Sequence, residues 1–579
     1  FDKAIICYEN ILKIDPNSAK AYFNIAVMYD KLSLPKNALK NYKNAIKIKP
    51  DYADAQNNMG SAYKELGYLD RALNAYQKAT LIQPNHAFAY NNMGNIYMTG
   101  KSFEKAIKAF EMAIFFNPNY ADAIDSLGIA YLNKKNINEA YKAFEKVLLI
   151  NPNHVKGLLN MGSLHEGNAE YEKSIQFYSK ACMNDPENNE LLALKVTQQA
   201  YICDIDKIKK YNSKIKYACT NKYHVRPFDI FAQDDEPQRH QSRAISYTDK
   251  YFKENRYLTT SNSESKSERI RLGYISSDFK EHAVSYLIAK VLESHNRDEF
   301  KLFGYSIFPS KLDKMGERTR KAFDVFQEVD KFSDKEIALK IQNDKIDILI
   351  DLNGHTINSR TGIFTYKPAK IQINFLGFPG TMGAKFIDYI IADNVVIPNE
   401  FNNFYSEKII RLPHSYMPTD NTREISIRLI TREEMGLPTE SLVFCCFNNT
   451  YKISVNEFDI WMRILSKIEN SVLWLKMENE LAKKNIHIAA EKRGVDPSRI
   501  IFADFIKMED HLARYTLADI FLDTFNFNGH TTAADALWAG TPLITKLGNS
   551  FAARVAGSLL TALGLTELIT NTEKEYEAL

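Results

Sequence analysis

Apolar positions over the first 190 residues recur at a fixed interval, whereas past residue 269 they gather into short unbroken runs. The interval is 34, marked by Pro16, Pro50, Pro84, Pro118, Pro152 and Pro186. Counted from each proline, a small residue stands ten positions on (Ala26, Gly60, Gly94, Gly128, Gly162). A ring stands thirteen on (Tyr29, Tyr63, Tyr97, Tyr131, His165), and Ala38, Ala72, Ala106, Ala140 or Ser174 twenty-two on. A 34-residue period predicts stacked helix–turn–helix units of the tetratricopeptide type. Each proline closes the second helix of a unit, because it has no N–H with which to extend the ladder. The small residues are expected to let paired helices approach, and the rings thirteen on to fill the gap between neighbouring pairs. One pair cannot bury its own apolar face, so the array holds only when stacked.

The later runs are IRLGYIS (270–276), KLFGYSI (301–307), IDILIDL (346–352), IQINFLG (371–377) and DYIIAD (388–393). A second series follows: LVFCCF (442–447), SVLWLKM (471–477), RIIFADF (499–505), DIFLDTF (519–525) and PLITKLG (542–548). Continuous apolar runs predict strands buried on both faces, hence parallel sheets under helices. Two such series predict two Rossmann-like lobes, with ligands at the carboxyl ends of their strands. The intervening stretch is polar, reads as helices and then a linker over 259–268, and loses the 34-residue period. The expected organisation is a repeat superhelix over 1–190, a helical connector and linker over 191–266, a first lobe over 267–425 and a second over 426–579.

At 579 residues the chain exceeds one core. Its 45% apolar and 25% charged content fits a folded protein rather than a disordered one. A net charge of +3 argues against a dedicated nucleic-acid partner. None of the six cysteines forms a CxxC pair, so no zinc cage is expected and a reducing, cytoplasmic setting fits. No apolar run reaches the roughly 18–20 residues of a bilayer span, so no membrane partner is expected. The chain opens inside the second helix of a repeat and stops inside a helical pattern, which reads as a fragment at both ends.

Candidate chemistry falls at repeat and strand ends. Eight after each proline stand Asn24, Asn58, Asn92, Ser126 and Asn160. An amide carries both donor and acceptor, so the row suits holding a peptide backbone; capping or solvation is the alternative. After DIFLDTF, Asn528-Gly529 makes a turn, and His530, Thr531 and Thr532 open a helix whose first N–H groups form an anion site beside hydroxyls. Asp535, a turn further in, is placed to accept from a ribose hydroxyl. Lys452, beyond LVFCCF, is placed to neutralise a departing diphosphate, or else is a solvated charge. Asp278 and His282, after the first strand, form a carboxylate–imidazole pair suited to base or orienting work, or to a structural contact. His355 is a weaker candidate, with a strand-end hydrogen bond as its alternative.

The motifs YISSDFKEHAVSY, DLNGHT, LGFPGTMGAKFIDYIIAD, YSEKIIRLPHSY, FCCFNNTYKIS and LDTFNFNGHTTAADALWAGTP occur in that order. Together they resemble the O-linked N-acetylglucosamine transferase family, glycosyltransferase family 41, in its bacterial-type branch. The resemblance covers the whole chain and implies an α superhelix followed by an α/β GT-B fold of two Rossmann-like lobes. It implies inverting transfer of N-acetylglucosamine from UDP-N-acetylglucosamine to protein Ser/Thr hydroxyls, with no metal and no cofactor. The repeat groove would take the acceptor. By the same resemblance Lys452 contacts the diphosphate with Asn449 near it, His530, Thr531 and Thr532 hold phosphate, and Asp535 holds the ribose. Ile506, Lys507, Met508, His511 and Arg514 match the base-binding segment, where a histidine stacks on uracil. His282 matches an active-site histidine and Asp278 a carboxylate of a proton relay, while Leu376 and Gly377 match the sugar pocket.

Three departures stand out. Asn449 replaces a Gln of the animal enzyme. Only about residues 418–430 fill the place of that enzyme's large insert between the lobes. Phe228 stands where one proposed base would be, so the base is left open. An alternative donor is GDP-fucose, as in a sister branch resembling plant SPINDLY; DKIDILIDLNGHT and FNN lean that way, while NGHTT, ALWAGTP and YKIS lean to N-acetylglucosamine. Glucose transfer and a repeat adaptor with an inactive catalytic half are further alternatives. Repeat superhelices also self-associate through apolar convex patches, which allows a homodimer.

Overall fold

A computed structural model describes residues 1–211, 214, 224–253, 268–309 and 313–579. They divide into two units, Phe1–Asp185 and Pro186–Leu579. The first unit is a run of antiparallel helices from Asp2–Ile14 to Tyr171–Asn184. Second helices end at Ile14, Ile48, Ile82, Phe116, Ile150 and Asn184, each two residues before a proline of the 34-residue series.

The small residues work as expected, but against a different ring. A Cβ built on Gly60, Gly94, Gly128 or Gly162 would lie 2.4–2.6 Å from a ring atom of Tyr76, Phe110, Phe144 or Tyr178. Those rings, with Tyr42 as the first of the series, are completely buried. They stand twenty-six residues after each proline. The rings thirteen on are half-buried at Tyr29, Tyr63, Tyr97 and Tyr131, so they do not form the centre of each pair. The hairpin turn places a left-handed residue seventeen after each proline: Ser33, Gly67, Lys101, Lys135, Ala169 and also Cys203. The backbone period thus continues past residue 190, where the side-chain period fades. The Asn189–Tyr201 and Ile205–Lys209 helices form a further hairpin, counted with the second unit. Its side chains changed because its neighbours are the Thr450–Lys452 turn and the Glu480–Glu491 helix. Thr450 Oγ1 donates to Tyr201 O (2.9 Å) and Asn485 Nδ2 to Ile202 O (2.8 Å).

The second unit holds two parallel sheets. The first contains β1 (Ile270–Ser276), β2 (Phe300–Ser306), β3 (Val325–Glu328), β4 (Ile348–Asp351), β5 (Ile371–Asn374), β6 (Tyr389–Asp393) and β7 (Lys408–Leu412), in the order β3-β2-β1-β4-β5-β6-β7. The second contains β8 (Leu442–Cys446), β9 (Ser471–Lys476), β10 (Ile500–Ala503), β11 (Ile520–Leu522), β12 (Leu543–Lys546) and β13 (Ile569–Thr570), in the order β10-β9-β8-β11-β12-β13. Neighbours run parallel, with Leu272 between Leu302 and Ile348, and Phe444 between Leu473 and Ile520. Strand order reverses between β1 and β4 and again between β8 and β11; there the crevice at the strand ends opens. The strands that no apolar run announced, β3, β7 and β13, lie at the sheet edges. Edge strands carry polar residues such as Glu328, Lys408 and Arg411, which blunt further pairing and break the run.

The connector belongs to this unit and ties the lobes together. Asp235 accepts from the backbone N–H groups of Asn549 and Ser550 (both 2.8 Å) in the second lobe. Thr248, on the Pro237–Tyr251 helix, donates to Met382 O (2.8 Å) in the first. The expected linker lies outside the described residues, apart from Glu268. Among the described residues no helix is long and apolar enough to cross a membrane.

Candidate active site

Between the two lobes lies a cleft of about 1460 Å³. Asp278, His282, Leu376, Gly377, Asn449, Lys452, Ile506, Lys507, Met508, His511, Arg514, His530, Thr531, Thr532 and Asp535 all line it. They come from segments far apart in sequence: the order reversals bring the ends of β1, β4, β8 and β11 to one crevice, and the segments after β5 and β10 complete its walls.

At the second lobe's reversal, buried Asp523 organises the turn after β11. Its Oδ1 accepts from Gly529 N (2.6 Å), Thr524 N (2.9 Å) and Asn448 Nδ2 (3.1 Å), and Oδ2 accepts from Thr545 Oγ1 (2.7 Å). Burial pushes its carboxyl up to about 6. Asn448 also donates to Thr524 Oγ1 (2.8 Å) and accepts from Thr532 Oγ1, which fixes the hydroxyl at the helix start. Gly529 packs closely here: a Cβ would stand 3.0 Å from both Asn448 Oδ1 and Thr532 Oγ1. The Thr531–Trp538 helix begins with no side-chain cap on its first-turn N–H groups, the partial positive end of a helix dipole.

Lys452 is buried, not solvated. Its Nζ donates to Asn528 O (2.8 Å) and lies 3.9 Å from the centroid of the Phe527 ring. Burial pulls its pKa down to about 8. His530 is neutral for the same reason, held well below the usual histidine range. Its Nε2–H donates to Ala552 O (3.4 Å), so the backbone rather than this ring offers the N–H donors at the helix start. Asn449 opens the short helical turn that carries Lys452.

The base-binding candidates form one wall. Burial and the Arg514 guanidinium pull His511 down to about 2. Its Nδ1 accepts from Arg514 Nη2 (2.6 Å), and its ring packs on Phe447 and Tyr515. Arg514 is itself anchored through Nη1 to Asp504 O (2.6 Å) and stacks over Phe447. Asp535 is buried and paired with Arg423, whose Nη1 lies 2.6 Å from Oδ1.

In the first lobe Asn353, from the end of β4, donates to Asp278 Oδ2 and to Ser277 Oγ (both 2.8 Å). His282 caps the Ala283–Ser294 helix, with Nδ1 accepting from Val284 N (3.3 Å). Asp278 Oδ2 lies 3.8 Å from that same nitrogen, so the two are close but not hydrogen-bonded. With Nδ1 accepting, the N–H of the ring is the one on Nε2. Leu376 has φ +73°, and Gly377 N donates to Phe375 O (2.9 Å), which makes a γ-turn. A Cβ on Gly377 would fall 1.9 Å from Leu352 O, so only glycine fits. Phe228 lines the cleft, packed on Tyr451 and Phe527.

His355 does not line the cleft. It is buried, bonds Met382 O (2.8 Å) and sits among Tyr247, Phe252 and Phe378, as its strand-end alternative required. In the repeat unit the asparagine row is half-buried and joined to its neighbours. Asn58 accepts from Asn57, Asn92 donates to Asn57 Oδ1 (3.0 Å) and Asn160 donates to Asp125 Oδ1 (2.8 Å). Asn92 and Asn160 thus spend part of their capacity linking successive repeats, while Asn58 bonds within its own. Sequence reasoning missed Asn353, Asn448 and Arg423, which touch the candidates; each sits in a loop with no periodic signal.

Two Rossmann-like lobes facing across a cleft, with an ammonium and a helix amino end at one strand-order reversal, define the GT-B class of fold. The chain belongs to glycosyl transferase family 41, whose model matches residues 232–426 and 419–579. Tetratricopeptide models match 36–67, 60–100, 87–120, 121–154 and 155–188. An Arabidopsis thaliana protein named probable UDP-N-acetylglucosamine–peptide N-acetylglucosaminyltransferase SEC is 40% identical over 316 residues, 54% of this chain and 32% of its own. The Caenorhabditis elegans UDP-N-acetylglucosamine–peptide N-acetylglucosaminyltransferase is 29% identical over 421 residues, 53% of this chain and 37% of its own. An Arabidopsis thaliana protein named SPINDLY is 32% identical over 327 residues, 55% of this chain and 35% of its own. The chain thus spans about a third of the length of these curated relatives. A solved O-GlcNAc transferase of Thermobaculum terrenum shares the fold, with a TM-score of 0.55 at 22% identity over 91% of this chain and 88% of that one.

Proposed function

We propose that the protein transfers N-acetylglucosamine from UDP-N-acetylglucosamine to serine and threonine hydroxyls of proteins, with inversion and without a metal ion. The observation that carries this reading is the convergence of Lys452 and the Thr531–Trp538 helix start on one side of the cleft, with Asp535 a turn further in. The acceptor hydroxyl attacks the anomeric carbon as the bond from that carbon to the diphosphate oxygen breaks. The departing diphosphate gains negative charge, which the Lys452 ammonium and the helix dipole stabilise. His282 enters as an Nε2–H donor, and the hydroxyl proton leaves toward Asp278, directly or through water. Leu376 and Gly377 line the sugar's place, and the His511–Arg514 wall takes the base. The repeats bring the acceptor. The relative named SEC, at 40% identity, supports the uridine donor and the peptide acceptor.

Calorimetry with UDP and GDP tests the donor, followed by mass spectrometry of a peptide library incubated with mixed nucleotide sugars. UDP binding with a mass gain of one N-acetylhexosamine on Ser/Thr peptides is expected. GDP binding without UDP binding would overturn the donor and favour fucose.

A further inference from the structure

Arg423 belongs to no motif, yet its guanidinium stands in the cleft. It is carried by irregular chain between β7 and β8 that is tied to both lobes. On the first lobe, Asp420 accepts from Arg318 Nη1 (2.5 Å) and Thr422 Oγ1 from Arg318 Nη2 (3.1 Å). On the second, Ser426 N donates to Glu509 O (3.0 Å). Between these ties Arg423 reaches Asp535 Oδ1, and its Nη2 lies 3.4 Å from Met508 Sδ. The side chains of the pair are only 6% and 4% exposed. The Arg423 Nε is buried without a partner. A buried cation with an orphaned donor is costly unless it serves a ligand or another charge.

We propose that Arg423 is a positioning residue for the donor nucleotide, one that keeps the Asp535 carboxylate ionised and aimed so that it can accept from both ribose hydroxyls. This rests on the nucleotide reading above. Burial raises the Asp535 pKa, and Arg423 is the first of the groups opposing that rise, ahead of Lys476 at the end of β9. His511 and Tyr515 also interact with this pair, and the Tyr286 ring lies 5.8 Å from the Arg423 guanidinium, with the Glu509 carboxylate acting on that ring. Without Arg423 the carboxyl would take up a proton at a higher pH. A protonated carboxyl is one donor with reduced acceptor capacity, whereas the ribose edge needs a pure acceptor.

The test is calorimetric UDP binding between about pH 5.5 and about pH 8, the range in which a raised carboxyl titrates. Because the terminal phosphate of UDP and Lys452 titrate in the same window, each variant is read as its affinity relative to wild type at the same pH. Arg423→Gln should weaken binding about tenfold or more at the acid end, the scale of one charge-assisted hydrogen bond, and recover toward the alkaline end. Arg423→Lys, which retains the charge, should keep the wild-type profile. In an Asp535→Asn background, Arg423→Gln should add nothing further. Equal weakening of Arg423→Gln at every pH, or an additive loss in the Asp535→Asn background, would overturn the inference. Failure of the wild type to bind UDP would instead remove the donor reading.

Discussion

Replacing Lys452 with methionine removes the cleft's buried ammonium while keeping most of the side chain's volume. The structure sets two opposing terms for stability. Burial holds the pKa near 8 against an unfolded value of 10.5, so keeping the charge at neutral pH costs about 3 kcal/mol. The hydrogen bond to Asn528 O returns about 1 kcal/mol and the contact with the Phe527 ring about another 1. Lys452→Met should therefore melt at or slightly above the wild-type temperature. Because the folded pKa lies below the unfolded one, the charge penalty is full below about pH 8 and fades toward pH 10.5. Wild-type stability should rise across that window by an amount the variant lacks. Transfer should respond in the opposite sense. Loss of one preorganised donor to a developing oxyanion costs about 10²–10³ in rate. Single-turnover transfer to an acceptor peptide, read by mass spectrometry beside thermal melting, checks both. Wild-type turnover in Lys452→Met would refute the role given to the ammonium; a large drop in melting temperature would show that its charge is structural.

Gly94→Ala should destabilise the repeat unit by about 1–3 kcal/mol in chemical unfolding, because its Cβ would stand 2.4 Å from the buried Phe110 ring. His282→Ala should lower transfer about 10²–10³-fold, the scale of one lost preorganised donor, while UDP affinity, measured by calorimetry, stays near wild type; loss of UDP binding alone would mark a structural histidine. Burial holds His355 near 4, below its unfolded value of 6.5. Its contribution is full above pH 6.5 and is lost as pH falls toward 4, a change of about 3 kcal/mol. His355→Gln should flatten that part of the acid unfolding profile measured in urea.

The repeat register was legible because helix hairpins of constant length place the same side chain in the same environment every 34 residues. The hairpin at Asn189–Tyr201 was not, since it meets a turn and a helix of the second lobe and its side chains follow those instead. Ten strands were legible as apolar runs, among them the edge strand β10; the edge strands β3 and β7 were hidden by their polar residues, and β13 by its length of two residues. In the cleft, His530, Thr531 and Thr532 could be placed from a strand, a turn and a helix start in succession. The burial of Lys452 could not, because it depends on Asn528 and Phe527 folding over it from a loop some 76 residues away.

Local order is what the chain spells out by itself: hairpin period, strand cores, and the residue types that end each strand. Burial along one element follows from its own periodicity, so these survive without knowledge of any neighbour. Sheet order chose the rest. It brought the ends of β1, β4, β8 and β11 to one crevice and set Arg423 on Asp535 across 112 residues. It also turned His355 away from the cleft, into a ring of aromatic side chains. Pairings over such distances leave no periodic trace, because each partner satisfies its own local rules wherever the other lies.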